Sequence, residues 1–340
     1  TIYKELMRKI ADVQYAAGVL NWDQETYMPV NGAEMRAQQL STLSGIAHEL
    51  STSEELGDIL NKLSFDSSLN EAQKRNVKRS LKNYNESKKY TTAFVKDLSK
   101  VISEAFQVWQ KAKETANFKL YAQHLEKLVR LKREECQLLG YTAHPYDALL
   151  DQYEPGMKTA DLEILFSDVR QQLVDYIKTI AAQPQNEDAF MFGHFDKNKQ
   201  WQIGIDLLTQ MGFDFESGRQ DESSHPFTTN FSSKDVRVTT RISESDFHEM
   251  IWSCIHEGGH ALYEQGLPIS EYGLPSGQYI SLGIHESQSR LWENNVGRSL
   301  NYWKFNYDKL QHAFPEQLKH VTVTDFYKAM KKAGLKAIIG

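Results

Sequence analysis

Residues Ile251 to Gly266 read Ile-Trp-Ser-Cys-Ile-His-Glu-Gly-Gly-His-Ala-Leu-Tyr-Glu-Gln-Gly, and inside them sits an HExxH motif, His256-Glu257-Gly258-Gly259-His260. The flanking Ile251, Trp252, Ile255, Ala261 and Leu262 recur at helical spacing, and Gly266 followed by Pro268 is a helix stop. The motif therefore lies on a buried helix. On that helix His256 and His260 are one turn apart on the same face, so two imidazoles can converge on one metal ion. Glu257 is rotated by about 100° from that line. It is poorly placed as a ligand of the same ion and well placed to hydrogen-bond a water on it, the general-base role in a metalloprotease. Two successive glycines in a helix interior cost about 1 kcal/mol each relative to alanine. Breaking that local rule beside two candidate ligands points to a place where something approaches the backbone closely. The competing account of the two histidines is a hydrogen-bonded pair in an ordinary core.

A third ligand is sought downstream. Residues 280 to 297 form a second apolar-periodic run (Ile280, Ile284, Leu291, Trp292, Val296) that carries His285-Glu286-Ser287-Gln288 and ends at Gly297. Glu286 would complete a His₂Glu set and leave the fourth tetrahedral position open, as a catalytic rather than a structural zinc requires. Glu264, Glu271 and Glu293 are competing carboxylates that spacing alone does not exclude.

The rest of the chain fits a large helical protein. At 340 residues with 40% hydrophobic and 25% charged residues, it is long enough to bury a sizeable core as one large domain or two lobes. The net charge of −6 leaves no basic stripe, so nucleic acid and anionic membrane surfaces are not expected partners. The excess of Lys and Arg between residues 71 and 100 is read as a solvated helix face. Two cysteines, Cys136 and Cys254, both in helical patterns, fit a reducing compartment. With no membrane-length apolar run and no signal-peptide pattern, cytoplasm is the expected location.

Helices are expected over residues 1–25, 33–49, 53–63, 70–89, 91–114, 117–140, 160–182 and 199–211, with turns at His144-Pro145-Tyr146-Asp147 and Glu154-Pro155-Gly156. His144 and Tyr146 could line a site, although turn residues packed on a helix end are the plainer reading. From Gly212 the helical rhythm stops. Asp235 to Ile242 alternates polar and apolar residues as a half-buried strand, with Asp235, Arg237, Thr239 and Arg241 on its polar face. Ser243 or Ser245 is available to cap the metal helix that follows. Such a strand beside a metal centre could receive an extended peptide along its edge, or be an ordinary hairpin strand.

Several stretches together resemble the carboxypeptidase Taq family of zinc metallocarboxypeptidases. They are Trp22-Asp23-Gln24 with Met28-Pro29, the two turn motifs at His144 and Glu154, His225-Pro226-Phe227, the DxRxT pattern at Asp235, Arg237 and Thr239, HExxH, and His285 to Gln288. The resemblance implies a mainly α, large helical metallopeptidase fold with a deep central groove and a small β-sheet near the metal helix. It implies one Zn²⁺ per chain, or Co²⁺ or another divalent ion, on His256, His260 and Glu286, with Glu257 as general base. It further implies a homodimer that removes C-terminal residues from peptides with broad side-chain tolerance. Arg237, His225 and Thr239 are the candidate substrate contacts, with a structural role in the DxRxT strand the alternative for Arg237.

Family members continue with an IRxxAD and later a GxxQDxHW motif, neither of which occurs before Gly340. The chain is therefore expected to be one catalytic domain, residues 1–340, incomplete at its C-terminus: a mostly helical part to residue 211, then a strand region and metal-binding helices. Its grip on a substrate's terminal carboxylate is expected to be incomplete, with Arg237 and Arg241 the available cations. An endo-acting oligopeptidase, or a silent zinc-bound peptide-binding or dimerisation module, are the alternatives. The apolar stripe Phe326, Met330, Leu335 and Ile338 is expected to lack a covering surface.

Overall fold

The computed structural model describes residues 2–332 and is mainly α-helical with one small sheet. Seven helices come first: α1 (Ile2–Thr26), α2 (Ala33–Ser51), α3 (Glu54–Ser64), α4 (Glu71–Ser87), α5 (Thr92–Glu114), α6 (Phe118–Leu139) and α7 (Tyr146–Tyr153). Then follow α8 (Thr159–Ala181), α9 (Lys197–Met211), β1 (Gly218–Glu222), β2 (Thr228–Ser232) and β3 (Asp235–Thr240). The chain continues through α10 (Phe247–Gln265), α11 (Leu282–Arg290), a π-helical turn (Leu291–Gly297), α12 (Leu300–Ala313), α13 (Pro315–Leu318) and α14 (Val323–Met330). The boundaries follow local chemistry. Asn70 and Gln73 close a reciprocal capping box on α4, Ser53 caps α3, and Gly212, at φ 98°, ends α9 in the left-handed region.

Two compact units form. The first comprises residues up to Met157 with Asn230–Lys234 and Gly266–Leu282. Its core gathers Tyr3, Ile10, Leu56, Leu60, Val77 and Leu274, and a second cluster joins α5 to α6 through Phe94, Val101 and Leu131. The Trp22-Asp23-Gln24 stretch belongs to this framework. Trp22 is buried, Asp23 pairs with Arg36 at 2.6 Å, and the Gln24 amide oxygen accepts from the Ser103 hydroxyl at 2.6 Å. These bonds tie α1 to α2 and α5.

The second unit comprises Lys158–Thr229, Asp235–Gln265 and the chain from Gly283 onward. Its core is aromatic. Phe195 stacks on Phe247 with centroids 4.7 Å apart, Phe314 meets both edge-on, and Trp303 packs on Phe326. Against this cluster α10 lays Phe247, Met250, Ile251, Cys254 and Ile255, five side chains no more than 2% exposed. At about 1.5–3 kcal/mol per fully buried large apolar side chain, that face fixes the metal helix in place. The sheet has the order β1-β3-β2, with β1 parallel to β3 in the register Gly218↔Val236 through Glu222↔Thr240. Val236 and Val238 point into a cluster with Leu208, Phe213 and Ala261 of α9, its following turn and α10.

Four expectations are corrected. The N-terminus of α10 is capped by Asp246, whose Oδ1 accepts from the His248 N–H at 3.0 Å, and not by Ser243 or Ser245. The carboxylate is nearer the first turn, and the two serines bond each other instead. The run from 280 to 297 is not one α-helix, because α11 gives way at Leu291 to a π-helical turn. Thr239 does not share an open polar face, being 1% exposed. Phe326 and Met330 are not uncovered but sit in the core with Trp303, while Leu335 and Ile338 lie outside the described residues.

A different apolar face is open among the described residues. No residue of α8 is buried, and Phe166, Leu173, Ile177 and Ile180, which recur on one face of the helix, are 60%, 47%, 51% and 50% exposed. An apolar stripe of this extent favours association. Replacing Phe166 and Ile177 together with Glu is expected to suppress concentration-dependent association in sedimentation velocity while leaving stability within about 0.5 kcal/mol, as for surface substitutions. A large fall in melting temperature would show that this face is packed.

Candidate metal centre

The site is assembled from residues of α10, α11 and the π-helical turn that lie within the second unit. Gly259 decides how closely they meet. A Cβ there would stand 2.7 Å from Ser289 Cα and 2.8 Å from the Gln288 carbonyl oxygen, distances no side chain tolerates against backbone. At Gly258 the same atom would meet only the flexible ends of Met211 and Leu208, at 2.7 and 2.8 Å. Gly259 thus lets the α11 backbone lie directly on α10.

That contact places Glu286 over the two histidines. Its Oε2 lies 3.3 Å from His260 Nε2 and 3.7 Å from His256 Nε2, and the three donor atoms all fall within 4.8 Å of one another. Two imidazole nitrogens and a carboxylate oxygen converging this way fit a divalent cation, and the donor types suit zinc. The other Glu286 oxygen is held by Arg290 Nε at 2.7 Å.

The competing carboxylates are engaged elsewhere. Glu293 accepts from His256 Nδ1 at 2.9 Å, which leaves Nε2 of that ring as the lone-pair nitrogen facing Glu286. Arg290 and Arg298 flank Glu293 at 3.1 and 2.9 Å. Glu264 is buried and accepts from His285 Nε2 at 2.7 Å, and the His285 ring stacks on His260 at 4.4 Å. Glu271 belongs to the first unit, where Asn76 and Ser276 donate to it.

Charge states follow from these surroundings. Burial works against ionisation of Glu293, but His256, Arg298 and Arg290 outweigh it and hold its pKa at about 2. For His260, burial together with His285 and His256 pushes the pKa down to about 4, so the ring is neutral with a lone pair to donate. Burial opposes the charge on His256 too, yet Glu293, Glu257 and Glu286 raise its pKa above the usual value. Glu257 is itself buried, which raises its pKa, partly offset by the Thr228 hydroxyl 2.7 Å from its Oε2 and by His256.

The remaining candidates are held as follows. The Arg237 guanidinium is clasped by Asp235 at 2.9 and 3.0 Å, and Arg241 lies 3.6 Å from Glu249. The carbonyl of His225 accepts from the Ser223 hydroxyl at 2.6 Å. Thr239 bonds the Phe227 backbone. His144 and Tyr146 sit in the first unit, where His144 Nδ1 accepts from the Tyr146 N–H. Sequence reasoning missed Thr228 and the roles of Glu293 and His285. Only the position of Thr228 directly after His225-Pro226-Phe227 hinted at it.

A mainly helical protein with an HExxH helix and a facing glutamate defines the class of helical metallopeptidases. The chain belongs to the carboxypeptidase Taq (M32) metallopeptidase family, whose profile matches residues 2–338. It is 36% identical over 332 residues to Carboxypeptidase 1 of Bacillus subtilis, covering 97% of this chain and 66% of that protein. Against Thermostable carboxypeptidase 1 of Thermus thermophilus it is 33% identical over 341 residues, covering 96% and 66%. The chain thus spans 66% of the length of these relatives. The crystal structure of the M32 carboxypeptidase from Deinococcus radiodurans is similar with a TM-score of 0.89 at 33% identity, over 98% of this chain and 67% of that one.

Two outcomes are expected. Gly259→Ala should destabilise the protein by about 1–3 kcal/mol in thermal melts and weaken metal binding, because an inserted methyl must push two backbones apart. Gly258→Ala should be far milder, since flexible side chains yield. Equal effects would contradict the backbone contact. Second, a proton raised onto His256 must leave before metal binds, so below that pKa apparent zinc affinity should fall about tenfold per pH unit, with release of about one proton. A pH-independent affinity between pH 5 and 7, measured by competition with a chromophoric chelator, would contradict the His256 assignment.

Proposed function

We propose that the protein is a zinc-dependent metallocarboxypeptidase acting on peptides, with His256, His260 and Glu286 holding the ion and Glu257 as general base. The observation that carries this reading is the convergence of three donor atoms within 4.8 Å, with the buried Glu257 on the adjoining helix position. A divalent cation held there would act as a Lewis acid, lowering the pKa of water and polarising a peptide carbonyl.

The chain's own residues supply the rest. Glu257 removes a proton from the attacking water and delivers it to the departing amine nitrogen, so a single carboxylate serves both halves of the reaction. Its raised pKa brings it nearer neutrality, where a base both takes and returns a proton. Glu293 keeps His256 in the tautomer that presents Nε2, and Arg290 orients Glu286 from behind. Removing such an orienting partner typically costs about 10- to 100-fold in metal affinity or activity. Arg237, clasped by Asp235, is read as a support of β3 rather than as a substrate contact. Membership of a family whose named relatives are carboxypeptidases supports exopeptidase action.

The test uses the full chain loaded with zinc and short peptides bearing either a free or an amidated C-terminus. Free peptides are expected to lose C-terminal residues one at a time and amidated ones to survive. Equal cleavage of both would replace this reading with an endopeptidase. Among variants, His256→Ala is expected to lose bound zinc, whereas Glu257→Gln keeps zinc and loses roughly 10²–10⁴-fold in kcat. Full zinc content in His256→Ala would show that the ligand set is wrong.

A further inference from the structure

A closed ring of hydrogen bonds joins α10 to the segment before β2. One turn before Glu257, Ser253 Oγ lies 2.6 Å from Thr240 Oγ1, which fastens β3 to α10. The next residue back on β3, Thr239, receives the Phe227 N–H on its hydroxyl at 2.9 Å, and its own N–H donates to the Phe227 carbonyl at 2.9 Å. Ser223 Oγ, 2.7 Å from the Thr239 hydroxyl and donating to the His225 carbonyl, ties down the loop on the other side. The backbone of Phe227 is therefore gripped at both of its polar groups. From there Thr228 extends back to α10, with its Oγ1 2.7 Å from Glu257 Oε2 and 3.0 Å from the Glu257 carbonyl oxygen.

Resting on the reading of Glu257 as general base, we propose that Thr228 is the positioning residue for the Glu257 carboxylate, and that Thr239 positions Thr228 through the Phe227 backbone. The geometry is specific. A glutamate side chain has three rotatable bonds, and burial alone does not select the rotamer that aims one oxygen at the reaction centre. A charge-assisted bond from Thr228 to Oε2 fixes one oxygen and leaves Oε1 for the proton. The hydroxyl carries one proton and two acceptors stand within reach, so it serves the carboxylate while that group is charged. Once Glu257 carries the water's proton, the Thr228 hydroxyl can turn to the main-chain carbonyl without the side chain moving. No covalent bond to Thr228 forms or breaks. On this assignment the DxRxT threonine and the residue after His225-Pro226-Phe227 act through Glu257 rather than on substrate, which explains why Thr239 is buried at 1% exposure.

The test compares Thr228→Val, which deletes the hydroxyl at nearly constant shape, with Thr228→Ser, which keeps it, in the full zinc-loaded chain. For Thr228→Val kcat is expected to fall about 10- to 100-fold, the cost of misplacing a catalytic group by about an ångström. KM and zinc content should stay unchanged, and crystal structures should show the Glu257 carboxylate turned from its wild-type position. Thr228→Ser should restore both kcat and the carboxylate position, and Thr239→Val should reproduce the kcat-selective loss. Loss of zinc, an equal loss in the Ser and Val variants, or an unmoved Glu257 with wild-type kcat in Thr228→Val would each overturn the proposal. If the wild-type chain cleaves no peptide, the peptidase reading fails separately. The crystallographic comparison still decides Thr228, because an unmoved carboxylate in Thr228→Val overturns its role.

Discussion

At Gly259 the backbone of α10 touches the backbone of α11, and the rest of the site depends on that contact. Helices normally stay apart by the width of their side chains, with axes about 8–10 Å distant. Here a missing Cβ lets Ser289 and Gln288 come within what would be 2.7 and 2.8 Å of one. Glu286, one turn earlier on α11, consequently lies against the pair of imidazoles that HExxH places on one face. The same approach carries the π-helical turn alongside, so that Glu293 reaches the far nitrogen of His256. Buried or half-buried carboxylates are tolerable only when paired. Each one at this site is: Glu286 with Arg290, Glu293 with Arg290 and Arg298, Glu264 with His285, and Glu257 with Thr228.

What could be read from the sequence was whatever depends on periodicity along one helix. The HExxH helix, its apolar face and its stop are local properties, and α10 ends at Gln265 as Gly266 requires. The two glycines announced a close approach but not to what, because the partner backbone comes from a helix seventeen residues further on after two short 3₁₀ turns. Most helix limits fell within two residues of their pattern, since caps such as Asn70 and Ser53 are also local.

Other features were hidden because they are tertiary. The π-helical turn at Leu291 does not follow from an apolar pattern that suits an α-helix equally well. Glu293 was visible only as a rival to Glu286. Which of them faces the imidazole Nε2 atoms, and which the Nδ1 of His256, is set by how the helices cross. The alternation in β3 suggested that Thr239 faces outward, but the strand is covered on that side by the Phe227 segment. Trp22, Asp23 and Gln24 were visible only as part of a family resemblance, and the structure uses them to join α1 to its neighbours in the first unit.

The central claim is that the Gly259 contact makes Glu286, rather than any other carboxylate, the third donor. The most direct measurement is a crystal structure of the zinc-loaded chain with anomalous data at the zinc edge. The account predicts a Glu286 oxygen at about 2.0–2.2 Å and the Nε2 atoms of His256 and His260 at about 2.0–2.1 Å from the ion, with Glu293 still on His256 Nδ1. A zinc ion bound by Glu264 or Glu293, or by the two histidines with Glu286 turned away to Arg290, would contradict it.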